Sequence, residues 1–306
     1  MPRWPSLVGH RLGKVSFEEK GVNWASFKEF LVTTCSERVA RGRVRYARKF
    51  CHCLLKRDFS ELNTLSDSKR NHVLKALSGL AKFLGMYEEF KGLVKAYGLK
   101  WKTGNAEDLI ISRLIKANGN NDVLKWIRKV KARLPKLDLF LDFVLASGLR
   151  YEESVKAYNL IIDLAKEGRL SEYYNAESEA LEHFRFKKLF IRRTKKVFIT
   201  FIPKQFIKRI SKREKLTCTQ INKQIQRNGF KLRFSDIREY YATYMTKLLR
   251  QPEIDFLQGR VSANVFMRNY FNPALISDLK ERTFKAVSKL KQIYGKTSLK
   301  VLKEVR

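Results

Sequence analysis

The sequence predicts a mainly α-helical chain with one small β-sheet, an α+β arrangement spread over two domains. Three observations carry this expectation. Apolar residues recur at three- and four-residue steps through most of the chain, the period of an amphipathic helix. One stretch, residues 181–203, gathers aromatic and β-branched residues between turn signals instead. At residues 98–105 the period lapses around Gly98 and Gly104, which marks a junction.

Taken in order, residues 1–22 mix Pro2, Pro5, Gly9 and Gly13 with basic side chains and read as a flexible basic arm. The first domain, residues 23–101, is all helical. Asn23 is placed to cap a helix carrying Trp24, Phe27, Phe30 and Leu31, and Val44, Tyr46, Ala47, Phe50 and Leu54 follow on a second. Ser66 and Asp67 cap a third, whose stripe of Val73, Leu74, Leu77, Leu80, Ala81 and Leu84 stops at Gly85, and residues 87–97 give a fourth. Residues 102–106 are the linker, and residues 107–306 form the second domain with a helical tail. Helices are expected there at 106–117, 121–134 and 137–146, the last ending at Ser147-Gly148. A β-hairpin should run from Phe184, Phe186, Leu189 and Phe190 through a turn at 192–196 to Val197, Phe198, Ile199, Phe201 and Ile202. Helices complete the chain at 204–210, 217–228, 235–250, 252–257, 263–270 and 273–294.

Lysine and arginine total 64 against 30 acidic residues, a formal net charge of +34. That field selects polyanions. Nucleic acid leads, because each phosphate neutralised by Lys or Arg releases condensed counterions, and an anionic membrane surface is the rival. No apolar run approaches the roughly 18 residues of a membrane span, and no leader pattern opens the chain, so a cytoplasmic, nucleoid-associated protein is expected. The four cysteines, Cys35, Cys51, Cys53 and Cys218, lack paired zinc spacing, and Cys51-His52-Cys53 has no second ligand pair. Neither metal nor cofactor is expected. His10, His52, His72 and His183 are read as core or surface residues.

Four segments carry the chemistry. Ser147-Gly148-Leu149-Arg150-Tyr151-Glu152-Glu153 presents an arginine where a helix ends. Arg192-Arg193-Thr194-Lys195-Lys196 forms the basic hairpin turn. Phe234-Ser235-Asp236-Ile237-Arg238 opens a helix, and Phe256-Leu257-Gln258-Gly259-Arg260 precedes Asn269-Tyr270-Phe271. In this order they resemble the catalytic boxes of tyrosine recombinases, the phage-type integrases, and are closest to integrases of archaeal viruses and plasmids. The resemblance covers roughly residues 107–295, and the first domain is similar, less specifically, to the family's core-binding domain.

The resemblance implies a site-specific recombinase that cuts and rejoins DNA through a 3′-phosphotyrosine, integrating or excising a mobile element without metal or ATP. Tyr270 matches the nucleophile, although one residue more than usual separates it from Arg260. Arg150 and Arg238 match the two arginines that hold the phosphate, Arg260 stands at the usual His/Trp position, and Glu153 matches the acidic support of Arg150. Lys195 is chosen as the general acid, with Lys196 and Arg192 as alternatives. Ser235 stands where most members have histidine and archaeal relatives have lysine, which leaves the general base open. Arg43, Arg45, Arg48, Lys49, Lys69, Arg70, Lys75, Arg192, Arg193 and Lys196 are candidate phosphate contacts. The resemblance also implies a homotetramer on two double-stranded DNA attachment sites. A type IB topoisomerase-like nicking-closing enzyme and a non-catalytic basic DNA-binding protein are the alternative functions.

The chemistry suits these residue types. Guanidinium forks bind the non-bridging oxygens and offset charge gathering on phosphorus. A phenol with a pKa of about 10 needs neighbouring cations to reach its phenolate. A lysine crowded by cations gives up its proton readily, as the departing 5′ oxygen requires.

Overall fold

The computed structural model describes residues 22–100, 107–108, 110–111, 114–115, 123–192, 195–231, 233–261 and 265–294, with residues 268 and 291–294 by backbone alone. The arm before Val22, the linker at 102–106, Arg193 and parts of the helix expected at 106–117 lie outside the described residues. Two compact units divide the chain, residues 1–112 and 113–306, and each has its own apolar core.

The first unit holds α1 (Trp24–Thr34), α2 (Glu37–Leu55), α3 (Ser60–Asn63), α4 (Asp67–Phe83) and α5 (Tyr87–Ala96). Asn23 caps α1 by accepting the Ser26 N–H at 3.0 Å. Phe50, Leu54, Leu74, Leu77 and Leu80 meet between α2 and α4 and are wholly buried. Each such side chain stabilises the unit by about 1.5–3 kcal/mol. Helix α2 starts at Glu37, before the apolar positions that announce it, and its first turns carry the exposed Arg38 and Arg41. Helix α4 ends where Gly85 takes the left-handed conformation, with φ of 75°.

In the second unit α6 (Val123–Arg133), α7 (Asp138–Ser147) and α8 (Tyr151–Lys166) lead into a three-stranded sheet. Helix α7 is buried on every side from Leu139 to Leu145. Even Asp142 lies inside, where Lys131 Nζ donates to its Oδ1 at 2.7 Å, and burial still pushes its carboxyl up to about 6. Helix α8 is not among the helices expected from the sequence. Its Val155, Tyr158, Ile161 and Ile162 cover one flank of α7.

The sheet is an antiparallel meander of β1 (Tyr174–Asn175), β2 (Ala180–Glu182) and β3 (Ile199–Phe201), with Leu181 opposite Tyr174 on one side and Thr200 on the other. The expected first hairpin strand is corrected here. Residues 183–186 form a 3-10 turn and α9 (Lys187–Phe190) follows. The cause is His183, which is wholly buried between the Tyr173 hydroxyl at 2.7 Å and the Thr200 hydroxyl at 2.8 Å. Phe190 folds back onto its ring, with centroids 4.5 Å apart, which an extended strand would not allow. Beyond α9 the chain does turn back, through a lone bridge between Ile191 and Lys196.

The rest is helical: α10 (Lys204–Ile210), α11 (Cys218–Arg227), α12 (Phe234–Met245), α13 (Gln251–Leu257), α14 (Val265–Asn269) and α15 (Leu279–Tyr294). Helix α12 stops five residues short of the expected end, and the expected 273–294 helix is split, with Pro273–Leu275 in a separate 3-10 turn. Arg282 clamps α15 to α13. Its Nη2 and Nη1 donate to the two oxygens of buried Glu253 at 2.6 and 2.8 Å, and its Nε donates to Asp278 at 2.7 Å. The fork holds the Glu253 carboxyl below the usual carboxylate range.

Candidate active site

The site begins at Gly148, which ends α7 in the left-handed conformation with φ of 59°. A Cβ there would lie 2.3 Å from the Tyr241 ring, so only glycine fits. Its carbonyl accepts Arg238 Nη1 at 2.7 Å. Two residues on, Arg150 stands at the N-terminus of α8. Glu153, one turn into that helix, accepts from Arg150 Nη1 at 3.1 and 3.2 Å and from the Arg150 backbone N–H at 3.4 Å.

Glu153 is wholly buried and serves a second cation. Arg192 Nη2 donates to its Oε1 at 3.2 Å, which draws the basic turn onto α8. The sequence suggests Arg192 as a phosphate contact or alternative general acid; in the structure its guanidinium lies on Glu153, with Glu152 3.8 Å away. The Arg192 N–H donates to Lys195 O at 2.9 Å across the turn. Lys195 is exposed and Lys196 half-buried. Arg150 Nη1 reaches the Lys196 carbonyl at 3.4 Å and Nη2 the Gly259 carbonyl at 3.5 Å.

Gly259, with φ of 65°, packs so closely on this turn that a Cβ would lie 1.5 Å from Lys196 O. Just before it, Gln258 is wholly buried and grips Arg238 twice. Its carbonyl accepts Arg238 Nη2 at 2.7 Å, and its Nε2 donates to the Arg238 carbonyl at 3.1 Å. The sequence places Gln258 within a box but gives it no role, because its partner Arg238 lies 20 residues away.

Arg150, Arg238 and Arg260 thus concentrate positive charge where three separate segments meet. Burial, with Arg150 and Arg260 nearby, pulls the Arg238 guanidinium down to about 9, which leaves it charged at neutral pH. Arg260 is exposed and lies 3.7 Å from Asp255. Ser235, exposed on the first turn of α12, donates to Asp236 at 3.1 Å. Tyr270 follows α14 and is 73 % exposed, beside exposed Val265 and Phe266. Among the described residues no hydrogen bond or ion pair joins its side chain to the arginines.

A sequence model of archaeal phage integrases matches residues 116–287, more than half of the chain. The chain belongs to this family. Arg150, Glu153, Lys195, Arg238, Arg260 and Tyr270 of the integrase all fall inside the matched segment. A comparison with curated proteins gives no match. An integrase acts on DNA, in keeping with the net charge of +34. Among the described residues, no helix is long and apolar enough to cross a membrane.

The first unit shows a basic face of its own. Lys49 on α2 and Lys69 on α4 both approach the Phe50 ring, at 5.8 and 5.9 Å. His72 stacks on Tyr46 at 5.8 Å, so the exposed edges of α2 and α4 adjoin. Arg45, Arg48 and Lys75 are exposed and Arg43 half-buried; Arg48 lies over the Trp24 ring at 5.5 Å. Arg70 differs from the rest. It donates to the carbonyls of Leu62, Asn63 and Leu65 at 2.8–3.1 Å, so it fastens the turn before α4.

Proposed function

We propose that this integrase is a tyrosine site-specific recombinase, which cuts DNA by forming a 3′-phosphotyrosine at Tyr270 and needs no metal or ATP. The observation that carries the reading is the meeting of four separate segments, Gly148 to Arg150, Lys196, Arg238 and the Gln258-Gly259 loop, around the two guanidiniums. Interlocked backbone carbonyls fix both guanidiniums, so they meet a phosphate with little reorganisation.

In the proposed reaction the Tyr270 phenol loses its proton to water and its oxygen attacks the scissile phosphorus. The bond from phosphorus to the 5′ oxygen breaks, and Lys195 gives the leaving oxygen a proton. Arg150, Arg238 and Arg260 offset the charge on the non-bridging oxygens. Glu153 supports Arg150. A 5′ hydroxyl of a second strand then attacks the phosphotyrosine and frees Tyr270, so bond energy is conserved and no nucleotide is consumed. The exposure of Tyr270 suits a nucleophile that must meet an external duplex. Ser235 contributes no base, so ionisation of the phenol rests on the arginines. The basic face of α2 and α4 positions the duplex through its phosphates, and a homotetramer on two attachment sites exchanges the strands.

The test uses nicked duplexes whose cut fragment diffuses away and traps the covalent intermediate. Wild-type protein should form an adduct resistant to denaturation, and Tyr270→Phe should form none. A wild-type protein without adduct, or an adduct with Tyr270→Phe, would refute the reading.

A further inference from the structure

In the sequence Cys51-His52-Cys53 has no second pair of ligands. The fold supplies a partner from the next element. Helix α2 ends at Leu55, the chain turns, and Glu61 on α3 comes back over the last turn of α2. His52 Nε2 lies 2.9 Å from Glu61 Oε2 and 3.4 Å from Cys53 Sγ, and Cys53 Sγ lies 3.8 Å from Glu61 Oε2. Cys51 takes no part, since its thiol points back to the Arg48 carbonyl at 3.5 Å.

These separations have a meaning for metal chemistry. With zinc bonds of about 2.3 Å to sulfur, 2.0–2.1 Å to nitrogen and 2.0–2.2 Å to oxygen, tetrahedral ligand atoms stand roughly 3.3–3.6 Å apart. The three observed distances bracket that range, and shifts of a few tenths of an ångström bring all three donors onto one ion. The donors differ in softness, one thiolate, one imidazole and one carboxylate, a set that suits zinc over calcium or magnesium. Cys53 is buried against the core while His52 and Glu61 are half-exposed, which gives the ion an entry path and leaves its fourth position to water.

We propose that His52, Cys53 and Glu61 bind a zinc ion that fastens the α2–α3 turn of the first unit. The turn has a use for such a fastening. Arg57, within it, holds a left-handed φ of 56°, a strained conformation for a residue with a side chain. Zinc bonds from Cys53 and Glu61 bridge this strained residue. On binding, the Cys53 thiol releases its proton to solvent and the thiolate coordinates the ion, so affinity should rise with pH. The ion holds the turn in place and takes no part in the strand transfer proposed at Tyr270.

The full-length protein, reduced, stripped with a chelator and then freed of it, is titrated with Co2+ and afterwards with Zn2+. One Co2+ per chain should bind with a thiolate-to-metal charge-transfer band that Zn2+ abolishes, and Zn2+ should raise the unfolding temperature. Cys53→Ser should remove the band. Because Cys53 is buried, two variants at half-exposed positions, His52→Gln and Glu61→Gln, guard against a folding defect, and each should weaken Zn2+ by on the order of tenfold or more. No charge-transfer band in the wild type would leave a hydrogen-bonded trio and overturn the proposal. So would a band that survives Cys53→Ser, or Zn2+ affinity unchanged in both half-exposed variants.

Discussion

Glu153 is one carboxylate serving two guanidiniums, and that sharing decides what Arg192 is for. Arg150 and Arg192 both donate to its Oε1, and the carboxylate itself is wholly buried, so both hydrogen bonds are charge-assisted. Arg192→Ala should therefore slow adduct formation by roughly tenfold, a loss of about 1.4 kcal/mol in transition-state stabilisation, while DNA affinity changes little. Rates of covalent trapping beside equilibrium binding check this. Loss of affinity at an unchanged rate would return Arg192 to the phosphate contacts. The sequence could nominate Arg150, Arg238 and Glu153 because they sit within compact boxes. Gln258 receives no role there and Arg192 is named only as a phosphate contact or alternative general acid, because their partners, Arg238 for one and Glu153 for the other, lie far away in the chain.

Most helices were legible from periodicity, and α10 runs over the residues expected of it. The 183–190 segment was not. Phe184, Phe186, Leu189 and Phe190 have the composition of a strand, and a short apolar run carries too few residues to separate a period of two from one of 3.6. The deciding interaction is the buried imidazole. His183 is pulled down to about 3 by burial and is neutral in the folded chain, whereas an unfolded histidine titrates near 6.5. Below about pH 6.5 the unfolded chain takes up this proton and the folded chain does not. The stability contribution is thus complete above that pH and falls by about 1.4 kcal/mol per unit until the folded value is reached. Urea unfolding at several pH values between 7 and 5 should show the decline, and His183→Gln should flatten it. Equal slopes in the two proteins would place its source elsewhere.

For the whole molecule, the excess of cations predicts DNA affinity that falls steeply with salt. Replacing Lys49, Lys69 or Lys75 by alanine should each reduce the slope of log affinity against log salt by about one, uniformly across DNA sequences. Arg70→Ala should leave that slope intact and lower the unfolding temperature instead, because its guanidinium is spent on three carbonyls. Salt titrations and thermal melts of the four variants separate the two outcomes. The clamp of Arg282 on Glu253 and Asp278 adds a limit of another kind. It pins the start of α15 to α13, so the segment bearing Tyr270 is a leash fixed at both ends. Tyr270 precedes Asp278 by eight residues, and a fully extended chain spans at most about 3.3–3.6 Å per residue. The tyrosine's backbone therefore cannot range beyond roughly 30 Å from the clamp. On the proposed mechanism, a phosphate cut by Tyr270 has to lie within that radius plus the length of one side chain.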